Sequence, residues 1–121
     1  MIIMGNNAAG ILNKLESFYR NIQHFQPGVY FIQESKCRIR NKVKHDDYVM
    51  FEYIRKCSSG GGLLTAVHKS LNPVSVSEDS DDEVLVVQGD IGNNKVRFIN
   101  GYGPQEGTKE ANSSFFNRLD L

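Results

Sequence analysis

Apolar residues along the chain fall into short solid runs separated by polar turns, with one longer stretch at helical spacing. Residues 2–7 predict a short first strand running into Asn6-Asn7, and Ala8-Ala9-Gly10 lets the chain turn. From there Ile11, Leu12, Leu15, Phe18, Tyr19 and Ile22 share one helical face, with Asn13, Lys14, Glu16, Arg20 and Asn21 opposite. Pro27 disfavours a helical Gln26, so the helix is predicted to stop near His24-Phe25. Residues 28–33 follow as a strand buried on both faces, ending in Gln33-Glu34. Strand, helix, strand in that order is an α/β signature.

Downstream, Tyr48 to Ile54 and Leu63 to Val67 predict a hairpin across a glycine-rich turn. No Lys-Ser/Thr follows Gly60-Gly61-Gly62 and no helix opens there, so a nucleotide-binding loop is not indicated. The acidic, apolar-poor run 77–83 lacks the central glycine and closing Glu of a calcium loop and reads as a solvated linker. A second hairpin is expected from 84–88 and 96–100, with residues 89–94 as its turn. Thr108 caps an expected last helix from about Lys109, with Ala111, Phe115, Phe116 and Leu119 on its inner face. The sum is about six mainly antiparallel strands and two helices. Solidly apolar strands ask for cover on both faces, and two helices cover only one, so a further layer or a partner is expected.

The 121 residues suffice for one modest domain. A formal net charge of zero removes any global field for nucleic acid, leaving only local patches. One such patch is the alternation Lys36, Arg38, Arg40, Lys42 and Lys44, which would align on one side if extended. The alternatives for it are a solvated loop and a phosphate-facing stripe. Cys37 and Cys57 have no metal-type spacing and read as reduced thiols. No apolar run approaches the ~20 residues of a membrane span. The start of the chain lacks the charged segment of a secretion signal, and an intracellular setting, cytoplasmic or nuclear, is expected. His24, His45 and His68 read as surface, loop and strand-exit residues, none of them a general base.

Four features then fall in order: a strand ending in Asn7, a strand ending in Ile32-Gln33-Glu34-Ser35, a glycine-led strand at 60–67, and Asn100-Gly101-Tyr102-Gly103-Pro104. The set resembles the N-terminal half of the endonuclease/exonuclease/phosphatase superfamily, the deoxyribonuclease I-like fold. Within it the chain looks most like the endonuclease domains fused to retrotransposon reverse transcriptases. The resemblance implies half of a four-layer α/β-sandwich, with residues 1–121 a partial domain whose C-terminal half is absent. It implies that Glu34 binds a catalytic Mg2+ (or Mn2+), that Asn7 sits beside it and acts on metal or phosphate, and that Tyr102 lies near the scissile phosphate. Asn100 would shape the turn before Tyr102, and Lys36, Arg38, Arg40 and Asn100 would face nucleic acid, with DNA the expected substrate. The family's later Asp-x-Asn and Ser-Asp-His motifs are not in this sequence. The isolated chain is therefore expected to be inactive, a fragment of a DNA-nicking phosphodiesterase. The alternatives are a catalytically dead nucleic-acid-binding module or a remnant without independent function.

Overall fold

The computed structural model describes residues 1–39, 41–54, 61–76 and 84–101. Strand β1 (Ile3–Asn7) runs parallel to β2 (Val29–Gln33), Ile3 opposite Val29 and Asn7 opposite Gln33. Between them a 3-10 turn (Ile11–Lys14) leads into helix α1 (Leu15–Phe25). The first turn is 3-10 rather than α where Gly10 offers no side-chain cap to the free N–H groups. Leu12 is consequently turned outward and exposed, not part of the inner face the spacing predicts. At the other end Gln26 takes a left-handed φ of +46°, and its N–H closes on the Ile22 carbonyl at 2.9 Å before Pro27 stops the helix.

Phe18 and Ile22 of α1, with Ile11, pack on Tyr30, Ile32, Leu64 and Ala66 of the sheet beneath. Each such large apolar side chain taken from water contributes about 1.5–3 kcal/mol. That sheet is completed by β3 (Tyr48–Tyr53) and β4 (Leu63–His68), in the order β1-β2-β4-β3. All of Leu63 to Val67 is buried, as a central strand between two layers requires.

A second sheet carries the two-residue β5 (Val74–Ser75), β6 (Val84–Ile91) and β7 (Asn94–Gly101), in that order. Here the predicted six-residue turn is wrong. Gly89, Asp90 and Ile91 continue the ladder against Val96, Lys95 and Asn94, leaving only Gly92-Asn93 to reverse the chain. Such two-residue turns match the twist of hairpin strands, and Gly92 supplies the positive φ, +61°. Gly89 is there for space: a Cβ would stand 2.9 Å from the Phe98 ring and 3.1 Å from the Leu71 carbonyl.

Val29 and Val67 from the first sheet meet Val87 and Phe98 from the second, with Phe31 and Phe51 alongside. Thus α1, the first sheet and the second sheet stack as three layers. The helix expected from about Lys109 lies outside the described residues, as do Tyr102, Arg40, Cys57 and the acidic linker. Among the described residues seven strands form, one more than predicted, because the pair Val74–Ser75 is too short to carry a pattern. No helix among them is long and apolar enough to cross a membrane.

Candidate active site

The only parallel pair among the described strands ends in the residues the sequence singles out. Asn7 closes β1 opposite Gln33, and Glu34 directly follows β2. Ligand sites in open α/β sheets gather at the carboxyl ends of strands. The chain leaving Asn7 folds back along the chain leaving β2: Ala8, Gly10 and Ile11 N–H donate to the carbonyls of Gln33, Glu34 and Ser35, each at 2.9 Å. Asn7 and Glu34 are thereby placed at the same end of two neighbouring strands, Glu34 one residue past β2.

This corner concentrates unusual backbone. Ala9 (φ +47°), Gly10 (+103°), Glu34 (+50°) and Lys36 (+54°) are all left-handed. For a non-glycine residue that conformation costs on the order of 1–3 kcal/mol, and it persists where the surroundings over-determine it. The determinants are visible. Asn7 Oδ1 accepts from Ala9 N–H at 3.2 Å, a side-chain-made turn. Ser35 and Lys36 N–H donate to Gly62 and Gly61 carbonyls at 3.2 and 2.9 Å, fixing the exit from β2. Gly62, at φ +87°, is pressed so close that a Cβ would lie 2.6 Å from Ser35 Oγ.

Asn100 does not face outward. Its side chain points from β7 into the sandwich at 1% exposure. Its amide nitrogen donates to the carbonyls of Ile32 (3.1 Å) and Leu64 (3.0 Å) and to Thr65 Oγ1 (3.2 Å), while its oxygen accepts from Gln33 Nε2 at 2.8 Å. The amide orientation follows from chemistry, since the reverse would set an oxygen against two carbonyls. The expectation that Asn100 touches nucleic acid is thus corrected. It ties β7 to β2 and β4 directly beneath the corner that holds Asn7 and Glu34. Gln33, which the sequence reading left without a role, is half of that tie. The alternation Val29, Phe31, Gln33 on one face was the signal that could have found it.

The basic alternation forms no extended stripe. Lys36 and Asn41 have positive φ, and Cys37 and Val43 turn inward to join the helix-side core. Lys36, Arg38, Lys42 and Lys44 are nevertheless exposed, as a loop downstream of Glu34. Within it, burial and the nearby Glu52 carboxylate push the Cys37 thiol above its ordinary pKa, with a Ser35 hydrogen bond opposing them. Asn41 N–H donates to Glu52 Oε2 at 3.1 Å, anchoring the loop to β3.

The described histidines are elsewhere. His68 ends β4, which runs antiparallel to β2, so it stands roughly 17 Å of strand away from Leu63 and the Glu34 corner. There His45 and His68 flank the Tyr48 ring, centroids 5.2 Å apart on each side, along a cleft of about 810 Å³. His24 sits in the last turn of α1. Among the described residues no group of three His, Cys, Asp or Glu side chains could hold a metal ion. What the corner offers is oxygen donors: one carboxylate, Glu34, and one amide, Asn7. That set suits a hard, water-rich ion such as Mg2+, which commonly takes one or two carboxylates and keeps several waters.

No protein-family model matches the sequence, and no characterised protein matches it by sequence. Solved structures do. The chain superposes on the AP endonuclease LMAP from Leishmania major (18% identity, TM-score 0.67), covering 96% of this chain and 43% of that one. It superposes on the Xenopus laevis APE2 catalytic domain (15%, TM-score 0.73), covering 98% and 52%. The endonuclease domain of TRAS1, a telomere-specific non-LTR retrotransposon, matches at 13% identity and TM-score 0.68, covering 98% and 51%. The chain therefore has the deoxyribonuclease I-like fold, an α/β sandwich. It spans about half the length of the structures it matches.

Proposed function

We propose that this chain is the N-terminal half of a DNA-nicking phosphodiesterase dependent on Mg2+ (or Mn2+), of the retroelement endonuclease type. The observation that carries the reading is Glu34, held left-handed beside Asn7 where the two parallel strands end. A fold shared with AP endonucleases and a retrotransposon endonuclease domain supports a nuclease.

In this reading Glu34 and Asn7 hold the ion through oxygen, and Lys36, Arg38 and Arg40 receive DNA phosphates. Tyr102, the residue after β7, acts beside the scissile phosphate. The metal, when bound, neutralises charge at the phosphorus and polarises a water. The Asn100–Gln33 tie keeps the strand ends rigid, so that Glu34 is placed by the frame rather than by the substrate. Removing the proton from the attacking water needs a base, which the second half supplies. The 121 residues alone are then inactive.

The test is nicking of supercoiled plasmid with Mg2+ by the full-length parent and by its Glu34→Gln variant. The expected result is loss of at least a hundredfold in rate with the fold retained. Undiminished nicking by the variant removes Glu34 from the site. Affinity for DNA that falls steeply with salt, without any metal-dependent cleavage, would favour a binding module instead.

A further inference from the structure

Asn100 and Gly101 form the single Asn-Gly pair in the sequence. An asparagine followed by glycine is open to attack by its own backbone. The glycine nitrogen can close a succinimide ring on the side-chain carbonyl carbon, Cγ, and no side chain on the glycine hinders the approach. The pair ends β7, and two features of the fold bear on that attack. The Asn100 amide is 1% exposed and bonded at both ends, through nitrogen to Ile32, Leu64 and Thr65 and through oxygen to Gln33. The backbone there is extended, with Asn100 opposite Leu85 and Gly101 opposite Val84. In a strand a side chain stands off the face of the sheet, away from the nitrogen that follows it. Ring closure needs the side chain to swing back over Gly101, which breaks all four of its hydrogen bonds.

We propose that Asn100-Gly101 is a self-modification site, silent in the folded chain and irreversible once the chain unfolds. In the unfolded chain the Gly101 nitrogen gives its proton to the solvent and bonds to Asn100 Cγ. The side-chain nitrogen leaves as ammonia. Water then opens the succinimide ring. Attack at Cγ restores the backbone and leaves aspartate. Attack at the main-chain carbonyl leaves isoaspartate, with the backbone routed through Cβ and Cγ. The sum consumes a water and releases an ammonia, with no change of oxidation state.

Neither product fits the place it came from. Aspartate sets an anionic oxygen where the amide nitrogen donated, against the carbonyls of Ile32 and Leu64 and the Thr65 hydroxyl. Isoaspartate lengthens the main chain by one atom, so the end of β7 loses its register against Leu85 and Val84. Leu64 and Thr65 are fully buried, so water does not reach in to relieve either product. An unfolded chain that reacts before it refolds is thereby lost from the folded pool. The fold guards the pair, and the pair makes prolonged unfolding a one-way exit. Sequence and fold alone carry this, and it stands whether or not the nuclease reading does.

Peptide mass spectrometry of the 121-residue chain tests it. Samples are kept at neutral pH in buffer and in concentrated urea, with far-ultraviolet circular dichroism recording the state of each. Trypsin releases Phe98 to Lys109, in which Asn100 is the sole asparagine. Its conversion to aspartate and isoaspartate should run roughly a hundredfold or more faster in urea than in buffer. Gly101→Ala keeps the amide but hinders the approach of the nitrogen, and should slow the reaction in urea roughly tenfold. Gln33→Ala frees one end of the amide; it should speed the reaction in buffer roughly threefold or more and leave the rate in urea unchanged. On dilution from urea, the fraction of wild-type chain that refolds should fall in step with conversion. Gly101→Ala should recover as fully after long incubation as after short. Equal rates in buffer and urea, a rate in buffer unmoved by Gln33→Ala, or converted chain that refolds as fully as unconverted would each overturn the proposal. No arm reads metal or cleavage, so its failure is distinct from failure of the nuclease reading.

Discussion

Replacing Asn100 tests how the two sheets are tied. In Asn100→Ala, Thr65 Oγ1 and the carbonyls of Ile32 and Leu64 lose a donor, and Gln33 Nε2 loses its acceptor. Thr65 is fully buried, so water cannot replace its partner without opening the core. Counting about 1 kcal/mol net per lost bond, less what the half-exposed Gln33 recovers from solvent, gives about 3 kcal/mol. For a chain of this size that is a drop in Tm of roughly 12 °C. Asn100→Asp sharpens the test because it keeps the shape. It places a carboxylate against three oxygen atoms, which raises its folded pKa above the unfolded value of about 3.9. The folded state then binds the proton more tightly than the unfolded one. Stability therefore falls as pH rises through about 4 and beyond, and recovers on acidification. Urea unfolding at fixed protein concentration should rank the wild type above Asn100→Ala and Asn100→Ala above Asn100→Asp at pH 7, with the last gap closing toward pH 4. A loss below about 0.5 kcal/mol for Asn100→Ala, within the range of ordinary surface changes, would refute the role assigned to this amide.

Comparing Glu34→Gly with Glu34→Ala isolates the backbone, since both lack the carboxylate; at φ +50° glycine should be the more stable by about 1 kcal/mol in urea unfolding. Gly62→Ala should cost about 1–3 kcal/mol, because it adds a Cβ at φ +87° against Ser35 Oγ, and its Tm reports this directly. With the Cys37 pKa raised by burial and Glu52, the unfolded chain loses that thiol proton first; stability should decline as pH climbs past roughly 8.5. A Cys37→Ser comparison across that range, by urea midpoint, checks the slope.

Where apolar periodicity was strong, the sequence was a sufficient guide. The boundaries of β2 and the end of α1 follow from Tyr30-Phe31-Ile32 and from Pro27, because burial and proline sterics act locally. The β6–β7 hairpin was read too short for the opposite reason. Gly89 and Asp90 look like turn residues, yet a tight approach of Phe98 and the Leu71 carbonyl requires glycine inside a strand. The basic alternation imitated a strand because Cys37 and Val43 are drawn inward at intervals from an irregular loop, which period alone cannot distinguish from an extended chain. Asn7 and Glu34 were legible as a pair at one sheet end, since β1 and β2 had to be neighbours. Asn100 was not legible as a buried group. A polar side chain in a strand reads as surface until the oxygen atoms that enclose it, from residues far away in the chain, are known.

The cluster between the sheets draws Val29, Val67, Val87 and Phe98 from four different strands. A ribosome delivers them in that order, with the last close to the end of the described chain. Until Val87 and Phe98 have both emerged, the first sheet has its helix but an incomplete layer on its other side, and Val29 and Val67 are not fully covered. The growing chain thus carries a sticky face whose quenching waits on the β6–β7 hairpin. Holding chaperones should meet this protein during translation, and a stalled product ending before β7 should aggregate rather than persist as a smaller folded unit.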